Sequence, residues 1–173
     1  MRVFVTGASG WIGSAVVPEL IGAGHQVIGL ARSDASAAAL ATAGAEARRG
    51  TLDDLDILAS AAAASDGVIH LAFKHDLAFS GDFEGAAQAD RRAVETLGEA
   101  LAGTDRPLLI ASGTLGVAPG RVATEQDGHG PAARSRRESA DCTRPGPPSC
   151  YFAALTIVLI VAVTPSATST TTM

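Results

Sequence analysis

The sequence predicts an α/β fold built on a doubly wound parallel sheet. Short β-branched runs alternate with apolar-striped helical stretches, and the first run ends on a turn carrying three spaced glycines. The 173 residues are 47% hydrophobic and 18% charged, which suits one compact domain of ordinary size and excludes a chain disordered throughout. Strands that each hand over to a helix require parallel pairing, with helices covering both faces of the sheet.

Arg2–Thr6 is β-branched and aromatic and stops at Gly7, so it reads as the first strand. Trp11–Ala23 is an apolar-rich helix closed by Gly24. Pro18 lies inside it and removes one backbone hydrogen bond, so a bend is expected near Ser14–Pro18. Gln26–Ala31 is a second buried strand, Ala35–Ala43 a helix ending at Gly44, and Ala45–Arg49 a third strand before Gly50. Asp53–Ala64 follows as a helix whose Asp53, Asp54 and Asp56 suit its positive N-terminal end. Gly67–Ala72 is the fourth strand. Glu84–Ala102 is a helix with Ala86, Ala93, Val94, Leu97 and Leu101 on one stripe, and Pro107–Ala111 is the fifth strand.

Charge and composition narrow the function classes. The net charge of −5 offers no general attraction to a phosphate backbone, so a nucleic-acid partner is not expected. Cys142 and Cys150 stand without a companion His cluster, which suits neither a disulfide-stapled scaffold nor a metal site; a reducing cytoplasm is the expected location. The apolar start Val3-Phe4-Val5 is cut at once by Thr6-Gly7, so no secretory signal is read there. The longest apolar run, Tyr151 to Val163, would reach only ~20 Å as a helix against a hydrocarbon core of roughly 30 Å, and no membrane span is expected.

Thr6-Gly7-Ala8-Ser9-Gly10-Trp11-Ile12-Gly13 falls between the first strand and the first helix, where a doubly wound sheet binds dinucleotides. Gly7 permits a tight exit from the strand, Gly10 lets main-chain N–H groups approach a pyrophosphate, and Gly13 lets the helix pack closely. Three spaced glycines alone would also fit a turn needing positive φ; their position favours the dinucleotide. Trp11 packs beside this turn, where its indole could cover the cofactor.

Gly-x-x-Gly-x-x-Gly after a first strand resembles the extended and atypical short-chain dehydrogenase/reductases, the NAD(P)-dependent epimerase/dehydratase group. Other stretches agree with that resemblance. His70-Leu71-Ala72 is similar to the family's fourth-strand end beside the cofactor. Gly50-Thr51-Leu52-Asp53-Asp54 resembles its Gly-Asp-Leu-x-Asp segment beside the adenine, with Thr51 replacing the family's Asp. Leu109-Ile110-Ala111-Ser112-Gly113-Thr114 resembles its fifth strand and active-site Ser/Thr. The resemblance covers about residues 1–125 and implies a Rossmann-like NAD(P)-binding domain, a dinucleotide cofactor and a small-molecule substrate. Together with the turn and the end of the second strand, it gives as candidate cofactor-binding residues Gly7, Ser9, Gly10, Trp11, Ile12, Gly13, Arg32, Ser33, Leu52, Asp53, Leu71 and Ala72.

The end of the second strand bears on the choice of nicotinamide cofactor. NAD use favours an acidic residue there to accept from the ribose hydroxyls, whereas this chain has Ala31, Arg32 and Ser33. A guanidinium suits a 2′-phosphate, so NADP is favoured over NAD. Asp34 could still reach the ribose, and Arg32 could simply begin a solvated loop.

In the resembled family a Ser/Thr hydrogen-bonds the substrate oxygen and Tyr-x-x-x-Lys supplies the proton-transfer tyrosine. Thr114 matches the Ser/Thr position, with Ser112 as the near alternative; either hydroxyl could instead cap the loop after the fifth strand. Nothing matches Tyr-x-x-x-Lys. The single tyrosine, Tyr151, is followed four positions on by Leu155, and the single lysine, Lys74, lies after the fourth strand. Lys74 and His75 stand on the side where ligands enter, but the preferred reading is a solvated loop pair. His70 reads as a packed strand-end residue, and His129, between glycines, carries no signal.

The chain changes character near Arg134. Residues 1–133 hold 9 Lys+Arg against 16 Asp+Glu, while 134–173 hold 4 against 2. Residues 126–173 are expected to form a divergent, largely irregular tail, with 151–163 as a strand or short helix. On this reading the sheet is truncated after about five strands, by frame change or recombination. The expected function is that of an NAD(P)-binding oxidoreductase or epimerase-type protein acting on a carbonyl or nucleotide-sugar-like molecule. A catalytically silent dinucleotide module and a truncated gene product are the alternatives.

Overall fold

In the computed structural model the described residues are 1–111 and 120–122. They form β1 (Arg2–Thr6), α1 (Gly13–Gly22), β2 (Gln26–Ala31), α2 (Asp34–Thr42), β3 (Glu46–Arg49), α3 (Leu55–Ala63), β4 (Gly67–His70), α4 (His75–Phe79), α5 (Phe83–Leu101) and β5 (Leu108–Ile110). All five expected strands are present, and every pairing between them is parallel. The strand order is β3-β2-β1-β4-β5, so the chain winds outward from β1 in both directions and reverses between β1 and β4. Such a reversal opens a crevice at the C-terminal ends of the central strands.

Alternation along the strands divides the core into two layers. Val3 and Val5 of β1 and Val27 and Ala31 of β2 face Val17 of α1 and Leu40 of α2. Phe4, Ile28, Leu30 and Val68 face the other way, onto Leu58, Ala61 and Ala62 of α3 and Ala93, Leu97 and Leu101 of α5. A period of two thus places one β-branched or small set under α1 and α2 and a bulkier set under α3 and α5. Phe4, Leu58, Val68 and Leu97 are fully buried, consistent with a sheet covered on both faces.

Several boundaries differ from the sequence expectation for identifiable reasons. Trp11 and Ile12 precede α1, because the glycine turn holds Gly10 N–H on Gly7 O at 2.9 Å before the helix begins. The helix then passes through Pro18. Asp53 and Asp54 are not in the first turn of a helix: α3 starts at Leu55, and Asp54 accepts from Thr51 N–H at 2.7 Å and Thr51 Oγ1 at 2.8 Å. Those two bonds hold the Asp54 carboxyl below its ordinary pKa. The segment after β4 contains the five-residue helix α4, where the sequence reading had only a loop.

Arg106 fastens the two helices on one face. Its Nη1 donates to the carbonyls of Ala63 at 2.8 Å and Ser65 at 2.9 Å, and its Nη2 to Ala100 at 3.2 Å. One cation therefore serves the negative C-terminal ends of both α3 and α5. The expected 126–173 tail, the 151–163 element and Cys142, Cys150 and Tyr151 all lie outside the described residues.

Candidate functional site

A cavity of about 730 Å³ opens at the C-terminal ends of the central strands. Its lining comes from the turn after β1 (Gly7, Ser9, Gly10, Trp11, Ile12), the end of β2 (Leu30, Arg32) and the turn after β3 (Gly50, Thr51, Leu52, Asp53). The segment after β4 contributes Leu71, Ala72, Phe73, Lys74, His75, Asp76 and Leu77. Aliphatic side chains of Ile12, Leu30, Leu52 and Leu71 form the walls, with charged groups at the rim, as expected for a ligand slot.

The glycine turn is built by close backbone approach. Gly7 has φ +67°, and a Cβ there would stand 2.8 Å from Ala72 N, so both the dihedral and the neighbouring strand end exclude a side chain. At Gly13 a Cβ would overlap the carbonyl oxygens of Gly7 and Ala8, which places the start of α1 directly on the turn. Gly10 meets only Gly7 O, at 3.1 Å. The main-chain N–H groups of Trp11 and Ile12 donate to no acceptor among the described residues. A helix start with free N–H groups and a positive dipole end can hold an anion.

Beneath the turn lies a buried polar chain. The Oγ1 of Thr6 is 2.8 Å from Nδ1 of His70, and Nε2 of His70 is 3.2 Å from Oδ1 of Asp90 on α5. Ala72 N–H donates to Thr6 Oγ1 at 3.3 Å, so the same hydroxyl joins the ends of β1 and β4. All three residues are buried, and polar groups buried in this way need hydrogen-bond partners such as these. His70 is thus the packed strand-end residue the sequence led us to expect, fixed between two partners.

Two ion pairs cross the rim. Lys74, which precedes α4, donates to both carboxylate oxygens of Asp53 at 2.7 and 2.6 Å. Arg32 Nη1 donates to Asp76 Oδ2 at 3.2 Å. Lys74 is therefore tied across the cavity, unlike the solvated loop residue the sequence suggested, while His75 stacks edge-on against Phe73, with ring centroids 5.1 Å apart.

The structure gathers most of the sequence-predicted residues on this cavity: Gly7, Ser9, Gly10, Trp11, Ile12, Arg32, Leu52, Asp53, Leu71 and Ala72 all line it. Trp11, however, is not packed beside the turn as expected: the residue is 82% exposed, at the cavity mouth. Gly13 supports the turn from behind. Ser33 is the N-cap of α2, accepting from Ser36 N–H at 3.1 Å. Asp34 pairs with Arg49, and neither lines the cavity. Ser112 and Thr114 lie outside the described residues. Sequence reasoning overlooked Phe73, Asp76 and Leu77. The only sign of them was a short apolar spacing after β4, too brief to establish a period.

Strand order and glycine turn together define a Rossmann-like α/β fold with its cleft at the strand reversal. Residues 3–154 match the NAD dependent epimerase/dehydratase family, and the chain belongs to that family. An uncharacterised protein of Saccharomyces cerevisiae is 51% identical over 130 residues, which is 74% of this chain and 43% of that one. An uncharacterised protein of Schizosaccharomyces pombe is 48% identical over 126 residues, 72% of this chain and 42% of that one. The chain thus spans less than half the length of these curated relatives. Among solved structures, MoeE5 in complex with UDP-glucose and NAD superposes with a TM-score of 0.62 at 27% identity, covering 82% of this chain and 50% of that one.

Proposed function

We propose that residues 1–125 form the nicotinamide-dinucleotide-binding domain of an oxidoreductase or epimerase-type protein, with NADP favoured over NAD. The observation that carries this reading is the pair of uncommitted N–H groups, on Trp11 and Ile12, at the start of α1 beside a glycine held at φ +67°. They offer donors to a pyrophosphate where no side chain can intrude. The family match and the NAD bound to MoeE5 support the same cofactor class.

The residues present fit such a group. Gly7, Ser9, Gly10, Trp11 and Ile12 would hold the diphosphate, with Gly13 keeping α1 close. Leu52 and Asp53 would border the adenine, Arg32 with the adjoining Ser33 the 2′-phosphate, and Leu71 and Ala72 the nicotinamide side. When bound, the nicotinamide supplies hydride transfer to or from a substrate carbon. The chain's own part is to bind and orient, and Thr114 or Ser112 would donate a hydrogen bond to the substrate oxygen. The substrate class is a carbonyl compound or nucleotide-sugar-like molecule, supported by the family and by the UDP-glucose bound to MoeE5. Cysteine usage supports a reducing, cytoplasmic setting. Residues 126–173 would lie outside the cofactor-binding domain.

A specific observation favours a second reading, a dinucleotide-binding module without turnover of its own. With one tyrosine, Tyr151, and one lysine, Lys74, this chain has no Tyr-x-x-x-Lys pair. Calorimetric titration with NADPH and NADH tests binding, and NADPH oxidation with carbonyl substrates separates the two readings. Arg32→Ala should weaken NADPH far more than NADH. Equal losses would refute the NADP preference, and no heat with either cofactor would refute binding.

A further inference from the structure

The charges around the 2′ corner of the cleft form an asymmetric set. Two arginines stand near it, at the ends of β2 and β3. Arg49 is turned to Asp34, and neither residue lines the cavity. Arg32 does line it, and its Nη1 donates to Asp76 Oδ2 at 3.2 Å, a carboxylate brought from 44 residues away by α4. Both side chains are largely in solvent, at 75% and 83% exposure, so the pair is held weakly and can open or be shared. The other cation on the lining, Lys74, is engaged on both Asp53 oxygens. The group suited to a 2′-phosphate therefore already carries a carboxylate.

From this arrangement we infer that Asp76 is a specificity-determining residue, setting how strongly the cleft prefers a 2′-phosphorylated dinucleotide over one with a free 2′-hydroxyl. The inference rests on the reading that a dinucleotide occupies the cleft with its 2′ position at Arg32. A phosphate gripping Arg32 would lie a few ångströms from the Asp76 carboxylate that shares the same guanidinium. It would lose one Nη donor to Asp76 and meet like-charge repulsion. A 2′-hydroxyl meets no such penalty and can donate to Asp76. That carboxylate, supplied from α4, stands in for the acidic residue missing after β2. Asp76 thus opposes the preference that Arg32 creates, and the chain accepts both cofactors with a narrowed margin.

The test compares Asp76→Asn with wild type by calorimetry at one fixed ionic strength, using NADPH and NADH, with 2′,5′-ADP and 5′-AMP as truncated probes. Asparagine keeps the size and removes the charge at an exposed position, and an unchanged melting temperature verifies the fold. NADPH and 2′,5′-ADP should bind roughly three- to tenfold more tightly, while NADH and 5′-AMP should be unchanged or weaker by up to about threefold. In an Arg32→Ala background the same substitution should lose most of this selectivity gain. An unchanged NADPH/NADH ratio, or equal changes for both, would overturn the role of Asp76. If wild type binds neither cofactor, the dinucleotide reading fails, and the inference falls with it.

Discussion

Gly13 and Gly22 stand at opposite ends of α1, and the same substitution at the two positions should have effects of opposite sign. Replacing a helical glycine by alanine reduces the entropy of the unfolded chain and favours the helix by roughly 0.5–1 kcal/mol. At Gly22 nothing lies within 4 Å of the added Cβ, so Gly22→Ala should realise up to that gain. At Gly13 the added carbon would stand 2.5 Å from the Ala8 carbonyl carbon, against ordinary contacts of 3.4–4 Å. The neighbours are backbone atoms with no side chain to rotate away, so the turn or the helix must move by about an ångström. Overpacking of this kind costs about 1–3 kcal/mol or somewhat more, which outweighs the helical gain. Gly13→Ala is therefore expected to be net destabilising by ~1–2 kcal/mol. It should also weaken NADPH at least tenfold, because the displaced atoms carry the Trp11 and Ile12 N–H groups. Urea midpoints at unchanged m values measure the first quantity and calorimetry the second. A Gly13→Ala variant as stable and as tightly binding as wild type would refute the close-approach argument.

Other consequences follow from individual contacts. His70→Leu removes two buried polar contacts, to Thr6 and to Asp90, so a loss of about 2–4 kcal/mol is expected in urea unfolding; a loss below ~1 kcal/mol would mean that these contacts contribute little. Arg106→Met keeps the aliphatic stem but strips the guanidinium bonds to the carbonyls at the ends of α3 and α5, and should lower stability by roughly 1.5–3 kcal/mol, read from the same midpoints. The Asp54 carboxyl is held below its ordinary value by the Thr51 amide and hydroxyl. Its contribution is therefore fully present above that ordinary value and disappears as pH falls through the lowered one. Asp54→Asn should flatten the acid limb of the stability profile there and leave the profile's shape near pH 7 unaltered.

Strand positions were legible because each strand's pattern is local. Val3-Phe4-Val5 and Val27-Ile28 state both the strand and the two faces it serves, and the glycine turn marks where the sheet hands over to α1. The cavity's near wall was legible for the same reason, since Gly7 to Gly13 is one continuous segment. The far wall was not. Helix α4 has five residues, too few to display a helical period, and the ties of its Asp76 to Arg32 and of the preceding Lys74 to Asp53 join residues 44 and 21 positions apart. Asp53 and Asp54 show the same limit: carboxylates before an apolar stripe fit a helix start, yet one is claimed by Lys74 and the other by Thr51. His70 was readable as packed from its apolar strand, but its partner Asp90, 20 residues on, was not.

In the proposed function the free amides at the start of α1 hold the diphosphate of a nicotinamide dinucleotide. Amide-resolved NMR of the isotope-labelled chain during NADPH titration examines it residue by residue. The largest shifts are expected at the N–H groups of Trp11 and Ile12, with smaller ones at Gly10, Arg32, Leu52 and Ala72. Saturating NADPH that leaves the Trp11 and Ile12 amides unmoved, while shifting signals elsewhere or none at all, would contradict it.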